Sequence, residues 1–145
     1  MKRTLVLEGP DGIGKTTFIN ILSQISKLEV HNYTNKDINT FSYWDEEYNK
    51  VRLTNPVLMS RSFLSERIYS DIFGREPRIT IKEEEKLVKK YKDIDFKIMV
   101  PKYRAELIER LIKRGDHPEV INNINKIIDR YIEVANKYDI ELVYS

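Results

Sequence analysis

Residues 9–16 read Gly9-Pro10-Asp11-Gly12-Ile13-Gly14-Lys15-Thr16, which matches the phosphate-loop pattern G-x-x-x-x-G-K-[ST] at every fixed position. Three of the chain's five glycines lie in this stretch, as expected where backbone N–H groups curl around phosphate oxygen atoms. In such a loop the lysine reaches the β- and γ-phosphates of a nucleoside triphosphate, and the hydroxyl group after it ligates Mg²⁺. The sequence therefore predicts that Lys15 and Thr16 bind ATP and magnesium.

The loop also has the surroundings that this chemistry needs, a buried strand before it and a helix after it. Thr4–Glu8 is a short apolar run with β-branched residues, and helical spacing extends from Lys15 to Lys27. The positive end of this helix adds to the attraction for phosphate. The residues expected to bind the nucleotide are Gly9, Asp11, Gly12, Ile13, Gly14, Lys15, Thr16 and Thr17.

Strand and helix patterns alternate along the whole chain. The predicted strands are Thr4–Glu8, Leu28–Tyr33, Pro56–Met59, Phe96–Val100 and Ile140–Tyr144. Helical patterns separate them; their start signals include Ser42-x-x-Asp45, Thr80-x-x-Glu83 and Asp116-x-Pro118-Glu119. Because parallel strands need crossover connections of about a dozen residues or more, this alternation predicts a doubly wound α/β domain with a five-stranded parallel sheet flanked by helices.

The composition is that of one globular domain covering residues 1–145, with 41% hydrophobic and 33% charged residues. The net charge is only +2, and basic and acidic residues alternate, so extended nucleic-acid binding is not expected. Without cysteine the chain cannot form a disulfide framework or a thiolate metal site, and its two histidines are too few for a histidine-based metal site. No apolar run approaches the length of about 18 residues that a membrane helix needs, so we expect a cytoplasmic protein.

The stretch Glu8–Thr17 resembles the opening of thymidylate kinases and related deoxynucleotide kinases, which often carry Glu-Gly-x-Asp/Glu-Gly-x-Gly-Lys before Ser/Thr-Thr. The resemblance implies that Asp11 contacts the sugar hydroxyl group of the acceptor. The alternative is that Asp11 only stabilises the turn by accepting hydrogen bonds from backbone N–H groups.

A second stretch, Val57–Tyr69, resembles the strand of these kinases that ends in Asp-Arg or Glu-Arg before a helix. Arg61 is the aligned arginine. Ligands of doubly wound sheets bind beyond the carboxyl ends of strands, and the planar guanidinium group suits an acceptor phosphate. Ser60 departs from the family pattern because it stands where a carboxylate is usual, and Glu66 is a possible substitute for that carboxylate.

A third stretch, Leu107–Asp116, is similar to the helix and arginine-bearing lid of these kinases, which would cover residues 110–118 here. The resemblance implies that Arg110 and Arg114, with Lys113 beside them, close over the transferring phosphoryl group. Some family members carry an arginine inside the phosphate loop, where this chain has Gly12, so the lid would have to supply that charge. Alternatively, the helix is solvated and is stabilised by i,i+4 pairs between acidic and basic residues.

The resemblance implies an ATP- and Mg²⁺-dependent nucleotide kinase of nucleotide biosynthesis that passes the γ-phosphate to a (deoxy)nucleoside monophosphate. Its catalytic residues would be Lys15, Arg61, Arg110 and Arg114, and a homodimer is compatible with it. A deoxynucleoside kinase and a kinase for nucleic-acid ends are alternatives within the same chemistry. An inactive P-loop protein is a further alternative, suggested by Ser60.

A GTP-binding switch is the rival from another class. Asp71–Gly74 matches D-x-x-G and Asn136–Asp139 matches N-K-x-D. Both matches end predicted helices, whereas motifs that contact the nucleotide should follow strands.

The helix around residue 48 has two possible roles. Trp44, Tyr48 and Arg52 could form a stacking wall for a base, or the two aromatic residues could instead pack in the core.

Overall fold

The computed structural model describes residues 3–34 and 39–145, in which strands and helices alternate. The strands are β1 Leu5–Glu8, β2 Glu29–Asn32, β3 Val57–Ser60, β4 Asp95–Val100 and β5 Glu141–Tyr144. The helices are α1 Lys15–Ser26, α2 Phe41–Arg52, α3 Leu64–Phe73, α4 Ile81–Lys90, α5 Arg104–Arg114, α6 Pro118–Asn122 and α7 Ile124–Tyr138. No helix in these two ranges is long and apolar enough to cross a membrane.

The five strands form one sheet in the order β2-β3-β1-β4-β5, and every neighbouring pair is parallel. The predicted doubly wound fold is therefore confirmed. Leu7 of β1 lies opposite Ser60 of β3, so the two strands end side by side. This register brings the phosphate loop and Arg61 to the same edge of the sheet.

The core explains why the central strand is so apolar. Leu5, Val6 and Leu7 are almost completely buried, since β1 is covered by neighbouring strands and by helices. Trp44 and Tyr48 are also completely buried and pack against Phe63. The two aromatic residues therefore belong to the core, and the interpretation of this helix as a stacking wall for a base is wrong.

The boundaries of three helices test the capping signals. The Thr80–Glu83 capping box is confirmed, with the Glu83 N–H group donating to the Thr80 hydroxyl group over 3.1 Å. The signal at Ser42 is wrong, because Thr40 caps α2 by accepting a hydrogen bond from the Tyr43 N–H group. The predicted last helix is divided at Asn123, whose side-chain amide donates to the Glu119 carbonyl group over 2.8 Å.

Candidate active site

The backbone of the phosphate loop follows a path that residues with a β-carbon could not adopt. Gly9, Gly12 and Gly14 have φ angles of 147°, 80° and 101°, in a region that favours glycine. A β-carbon at Gly9 would lie 2.3 Å from the carbonyl oxygen of Met99 on β4. The loop can therefore follow this path only with glycine at its first position.

Lys15 begins α1 and lies over the loop. Its Nζ atom donates a hydrogen bond to the carbonyl group of Gly9. Burial lowers the pKa of the Lys15 ammonium group, while the negative charges of Glu8 and Asp11 oppose this shift. Thr16 and Thr17 are exposed beside it, so their hydroxyl groups are accessible to a ligand.

A cavity of about 390 Å³ lies above this loop. Its lining residues come from the loop, from the start of α1 and from the end of α5: Asp11, Gly12, Gly14, Lys15, Thr16, Thr17, Arg110 and Arg114. The cavity thus combines backbone N–H groups with three cationic side chains. We call it the loop cavity.

The two arginines of the predicted lid, Arg110 and Arg114, line the loop cavity. Arg110 donates from Nη1 to the carbonyl group of Gly12 over 2.9 Å. Arg114 forms a bidentate pair with Asp116, with two distances of 2.7 Å. Lys113 does not line the cavity and instead points to Glu109, 3.8 Å away, on the exposed side of α5.

Arg61 follows β3 in an unusual backbone conformation. Its φ angle of 81° lies in the left-handed region, which costs a non-glycine residue about 1 kcal/mol. Its N–H group bonds to the Leu7 carbonyl group over 3.0 Å, which continues the pairing of β3 with β1. Its Nη2 atom lies 3.2 Å from Oδ1 of Asp11. The structure therefore brings together two predicted site residues that are 50 positions apart in sequence.

A second cavity, of about 460 Å³, is lined by both residues of this ion pair. Its lining residues are Asp11, Asn39, Arg61, Ser65, Glu66, Tyr69, Phe73, Arg75, His117, Glu119 and Val120. Tyr69 and Phe73 stack here, with ring centroids 6.1 Å apart and planes only 13° from parallel. We call it the side cavity; Asp11 lines both cavities and so marks where they meet.

The carboxylate missing at position 60 is not replaced by a metal-binding cluster. Within residues 3–34 and 39–145 no group of three or more His, Cys, Asp or Glu residues is arranged to hold a metal ion. Glu66 lines the side cavity, but its Oε2 atom already accepts hydrogen bonds from the Ser70 hydroxyl and the Arg78 N–H group, at 3.0 and 3.2 Å. Thr16 remains the expected metal ligand.

Glu8, for which the sequence predicts no role, lies beneath the site. Glu8 ends β1 and is 1% exposed. Its Oε2 atom accepts hydrogen bonds from the Ser62 hydroxyl and the Ser65 N–H group, both at 2.9 Å. Burial raises the pKa of its carboxyl group, although the charges of Lys15 and Arg61 lower it. The sequence did contain a signal for this residue, because Glu8 is an ionisable residue at the end of an otherwise apolar strand.

The GTPase-like matches have other roles in the structure. Asp71 is in α3 and pairs with Arg130 of α7 over 2.8 Å. Asp139 ends α7 in a left-handed conformation, with φ of 54°. Neither residue lines the loop cavity, so both matches serve helix packing and helix termination.

The sheet order and the phosphate loop together define the class of the fold, a doubly wound parallel α/β fold that solved structures of kinases share. No protein-family model matches the sequence, and no curated protein matches it either. The similarity to known proteins therefore lies in the three-dimensional structure.

Three solved structures illustrate this similarity. The YorR protein from Bacillus subtilis, solved in complex with phosphorylated GDP, has 21% identity over 98% of this chain and 84% of its own, with a TM-score of 0.76. Deoxyadenosine kinase from M. mycoides, with the products dCMP and a flexible dCDP bound, has 14% identity, coverage of 98% and 89%, and a TM-score of 0.60. A gluconokinase from Sinorhizobium meliloti 1021 has 11% identity, coverage of 94% and 95%, and a TM-score of 0.52. These similarities show the fold and do not single out thymidylate kinases.

Proposed function

We propose that this chain is an ATP- and Mg²⁺-dependent phosphotransferase that passes the γ-phosphate to a (deoxy)nucleoside monophosphate. The observation that carries the proposal is that the two cavities share Asp11, which pairs with Arg61 of the side cavity. One cavity has the chemistry of a triphosphate site, and the other can hold an acceptor beside it. Phosphoryl transfer needs this arrangement, because its catalysis consists mainly of positioning and charge stabilisation.

The loop cavity is the proposed donor site. Its loop N–H groups and Lys15 fit a triphosphate, and the glycine backbone leaves room for close approach. The exposed hydroxyl group of Thr16 would hold Mg²⁺, which neutralises charge on the phosphate oxygen atoms when it is bound. Arg110 and Arg114 would act as a lid within residues 110–118, with their charges beside the transferring group.

The side cavity is the proposed acceptor site, and its chemistry favours a phosphate acceptor over a hydroxyl acceptor. A phosphate monoester is largely ionised at neutral pH, since its second pKa is about 6, so it needs no general base. A nucleoside hydroxyl group needs a carboxylate or another base to take its proton. The cavity does offer such groups, because Asp11, Glu66, His117 and Glu119 line it, so the preference for a phosphate rests on Arg61. Arg61 supplies the fork that a phosphate requires.

Two further features of the side cavity support a nucleotide as the acceptor. The stacked rings of Tyr69 and Phe73 offer an apolar surface of the kind that a base can contact. Asp11 lies where a sugar hydroxyl group could be bound, at the border of the two cavities. Deoxynucleoside kinase activity is the second candidate, supported by the same aromatic pair and distinguished by the acceptor alone.

The decisive experiment is an acceptor screen with labelled ATP. Each deoxynucleoside monophosphate and ribonucleoside monophosphate is compared with its own nucleoside at equal concentration. We expect at least one monophosphate to be phosphorylated, and to be used much better than its nucleoside. A nucleoside preference would contradict the monophosphate assignment, and absence of transfer to every acceptor despite ATP binding would contradict the kinase assignment.

A further inference from the structure

One carboxylate of the side cavity is held in place by one oxygen atom and has the other available. Glu66 lies in α3, is only 9% exposed and lines the side cavity. Its Oε2 atom accepts hydrogen bonds from the Ser70 hydroxyl and the Arg78 N–H group, at 3.0 and 3.2 Å. Its Oε1 atom has no hydrogen-bond partner within residues 3–34 and 39–145 and, unlike Oε1 of Glu8, is not enclosed by protein. This oxygen atom is therefore available to a ligand in the side cavity.

The aromatic pair of the side cavity lies on the same face of α3 as this carboxylate. Tyr69 and Phe73 follow Glu66 by three and seven positions, a spacing that places side chains on one face of a helix. All three residues line the side cavity, and the two rings are stacked. An acceptor base that contacts these rings would therefore lie next to Glu66.

A carboxylate oxygen atom can only accept hydrogen bonds, and this property distinguishes the bases. Cytosine carries an amino group at C4 and adenine carries one at C6, and both groups donate hydrogen bonds. Uracil and thymine carry a carbonyl oxygen atom at C4, which only accepts. Such a carbonyl group facing Glu66 would leave two acceptors opposite each other, without the water that each has lost, so this arrangement is unfavourable.

We propose that Oε1 of Glu66 selects the acceptor by its base, favouring nucleotides with an amino group at C4 of a pyrimidine or C6 of a purine over those with a carbonyl group there. This inference rests on the proposed function in that it takes the side cavity to hold the acceptor nucleotide. Arg75 also lines this cavity and would favour a base carbonyl group, because its side chain only donates. Arg75 is exposed, whereas Glu66 is buried and held by two hydrogen bonds. The group already fixed in position discriminates more strongly, because binding does not have to order it.

The test measures binding to the wild-type protein by calorimetry, in the presence of Mg²⁺ and a non-hydrolysable ATP analogue. The ligands are two matched pairs, dCMP with dUMP and dAMP with dIMP, whose members differ by an amino group and a carbonyl oxygen atom at the position in question. We expect the amino-bearing member to bind about 10²-fold more tightly in whichever pair binds, and kcat/KM to follow the same ratio. Equal binding within a pair, tighter binding of the carbonyl-bearing member, or binding of neither pair overturns the inference.

Glu66→Gln changes the group that faces the base and keeps the hydrogen bonds that hold the side chain. The amide oxygen atom takes the place of Oε2, because the Arg78 N–H group can only donate, and the NH₂ group then occupies the open position of Oε1. An NH₂ group donates to a carbonyl oxygen atom. We therefore expect the preference to be lost, with dUMP binding at least as tightly as dCMP. A ratio that stays at the wild-type value overturns the inference.

The matched control is Glu119→Gln, which removes the same charge from the same cavity. Glu119 lines the side cavity from α6 and is exposed. We expect this variant to keep the wild-type ratio of dCMP to dUMP binding, and an equal change in both variants would show a general charge effect and overturn the inference. A purely structural role of Glu66 would weaken both members of a pair alike, without changing their ratio.

The outcomes also separate this inference from the proposed function. If Glu66→Gln does not fold, the comparison of matched nucleotides on wild-type protein still decides the inference. Selective binding of dCMP or dAMP without phosphate transfer would contradict the proposed function alone. Transfer to monophosphates without selection between amino and carbonyl groups would contradict this inference alone.

Discussion

The loop cavity and the side cavity share Asp11 but are built in different ways. The loop cavity is formed mostly by one continuous segment, residues 11–17, and by two arginines from α5. The side cavity is assembled from side chains of α3 and α6 and of the loops around them. The loop cavity presents backbone N–H groups and cations, and the side cavity presents aromatic rings, carboxylates and arginines.

This difference separates a general task from a specific one. A triphosphate can be bound by backbone groups and point charges, whatever base it carries. An acceptor must be distinguished by side chains such as Glu66 and Tyr69, which single substitutions can change without moving the loop. We therefore expect substitutions at the loop cavity to affect every reaction of the protein, and substitutions at the side cavity to affect only the acceptor.

The largest effect is expected for Lys15→Ala. Removing this charge from a preorganised site should lower kcat/KM by about 10³-fold and should weaken ATP binding for every acceptor tested. Calorimetry with a non-hydrolysable ATP analogue checks the binding, and a coupled assay checks the rate. Unchanged nucleotide affinity would show that the loop cavity is not the donor site.

Arg61→Ala should produce the next largest effect and should distinguish the role of the side cavity from that of the loop cavity. Loss of a charge-assisted hydrogen bond to the acceptor should lower kcat/KM for the monophosphate by about 10²-fold. ATP affinity should not be lost, because the donor binds to the loop. The matched control is Arg67→Ala, since Arg67 lies on the adjacent helix and contacts the Ile79 carbonyl group. A loss of ATP binding comparable to that of Lys15→Ala would remove the distinction between the cavities.

A smaller effect is expected at the proposed lid. Arg114→Ala should lower kcat by about tenfold with little change in the affinity for either substrate, since the charge acts mainly on the transferring group. Asp116→Asn should reproduce part of this loss, because Asp116 orients Arg114 through two hydrogen bonds. Arg104→Ala is the control on the same helix, since Arg104 pairs with Asp129. If Arg104→Ala changed kcat and KM as much as Arg114→Ala does, a specific role of the lid would be contradicted.

The smallest effect concerns a buried carboxylate outside both cavities. Burial raises the pKa of Glu84 above its ordinary value, so its stabilising contribution is complete below the unfolded pKa and is lost as pH rises through the folded pKa. Glu84→Gln should therefore raise Tm by a few degrees at neutral pH, and the difference should shrink as the solution is acidified. Thermal unfolding across this pH range measures it, and a gain that is independent of pH would exclude the ionisation as the cause.

The sequence predicted the loop cavity better than the side cavity for a physical reason. The residues from Gly9 to Thr17 are continuous, so their spacing alone describes the loop. The contact between Asp11 and Arg61 depends on the pairing of β1 with β3, which no local pattern encodes. Arg61 could be expected only because a resemblance aligned it with a known arginine, and Arg75 and His117 of the side cavity had no signal at all.

Burial and helix ends account for most other differences. Trp44 and Tyr48 have the spacing of a helix face, which does not distinguish a core from a ligand wall; the structure assigns them to the core. The break at Asn123 was missed because the apolar spacing continues from Ile121 to Ile124 across it. Glu8 lay within the quoted motif, but its role depends on Ser62 and Ser65, more than 50 positions away.

Gly12 bears on how such a protein can change in evolution. A β-carbon at this position would lie 2.7 Å from a methyl group of Leu111 and 3.4 Å from one of Leu107, because α5 packs directly on the loop. An arginine at this position, which the resemblance gives for some thymidylate kinases, would need the left-handed φ of 80° and a shift of the Leu111 side chain. We therefore expect an exchange of this one residue to destabilise the protein unless α5 changes with it, so the loop and the helix constrain each other in evolution.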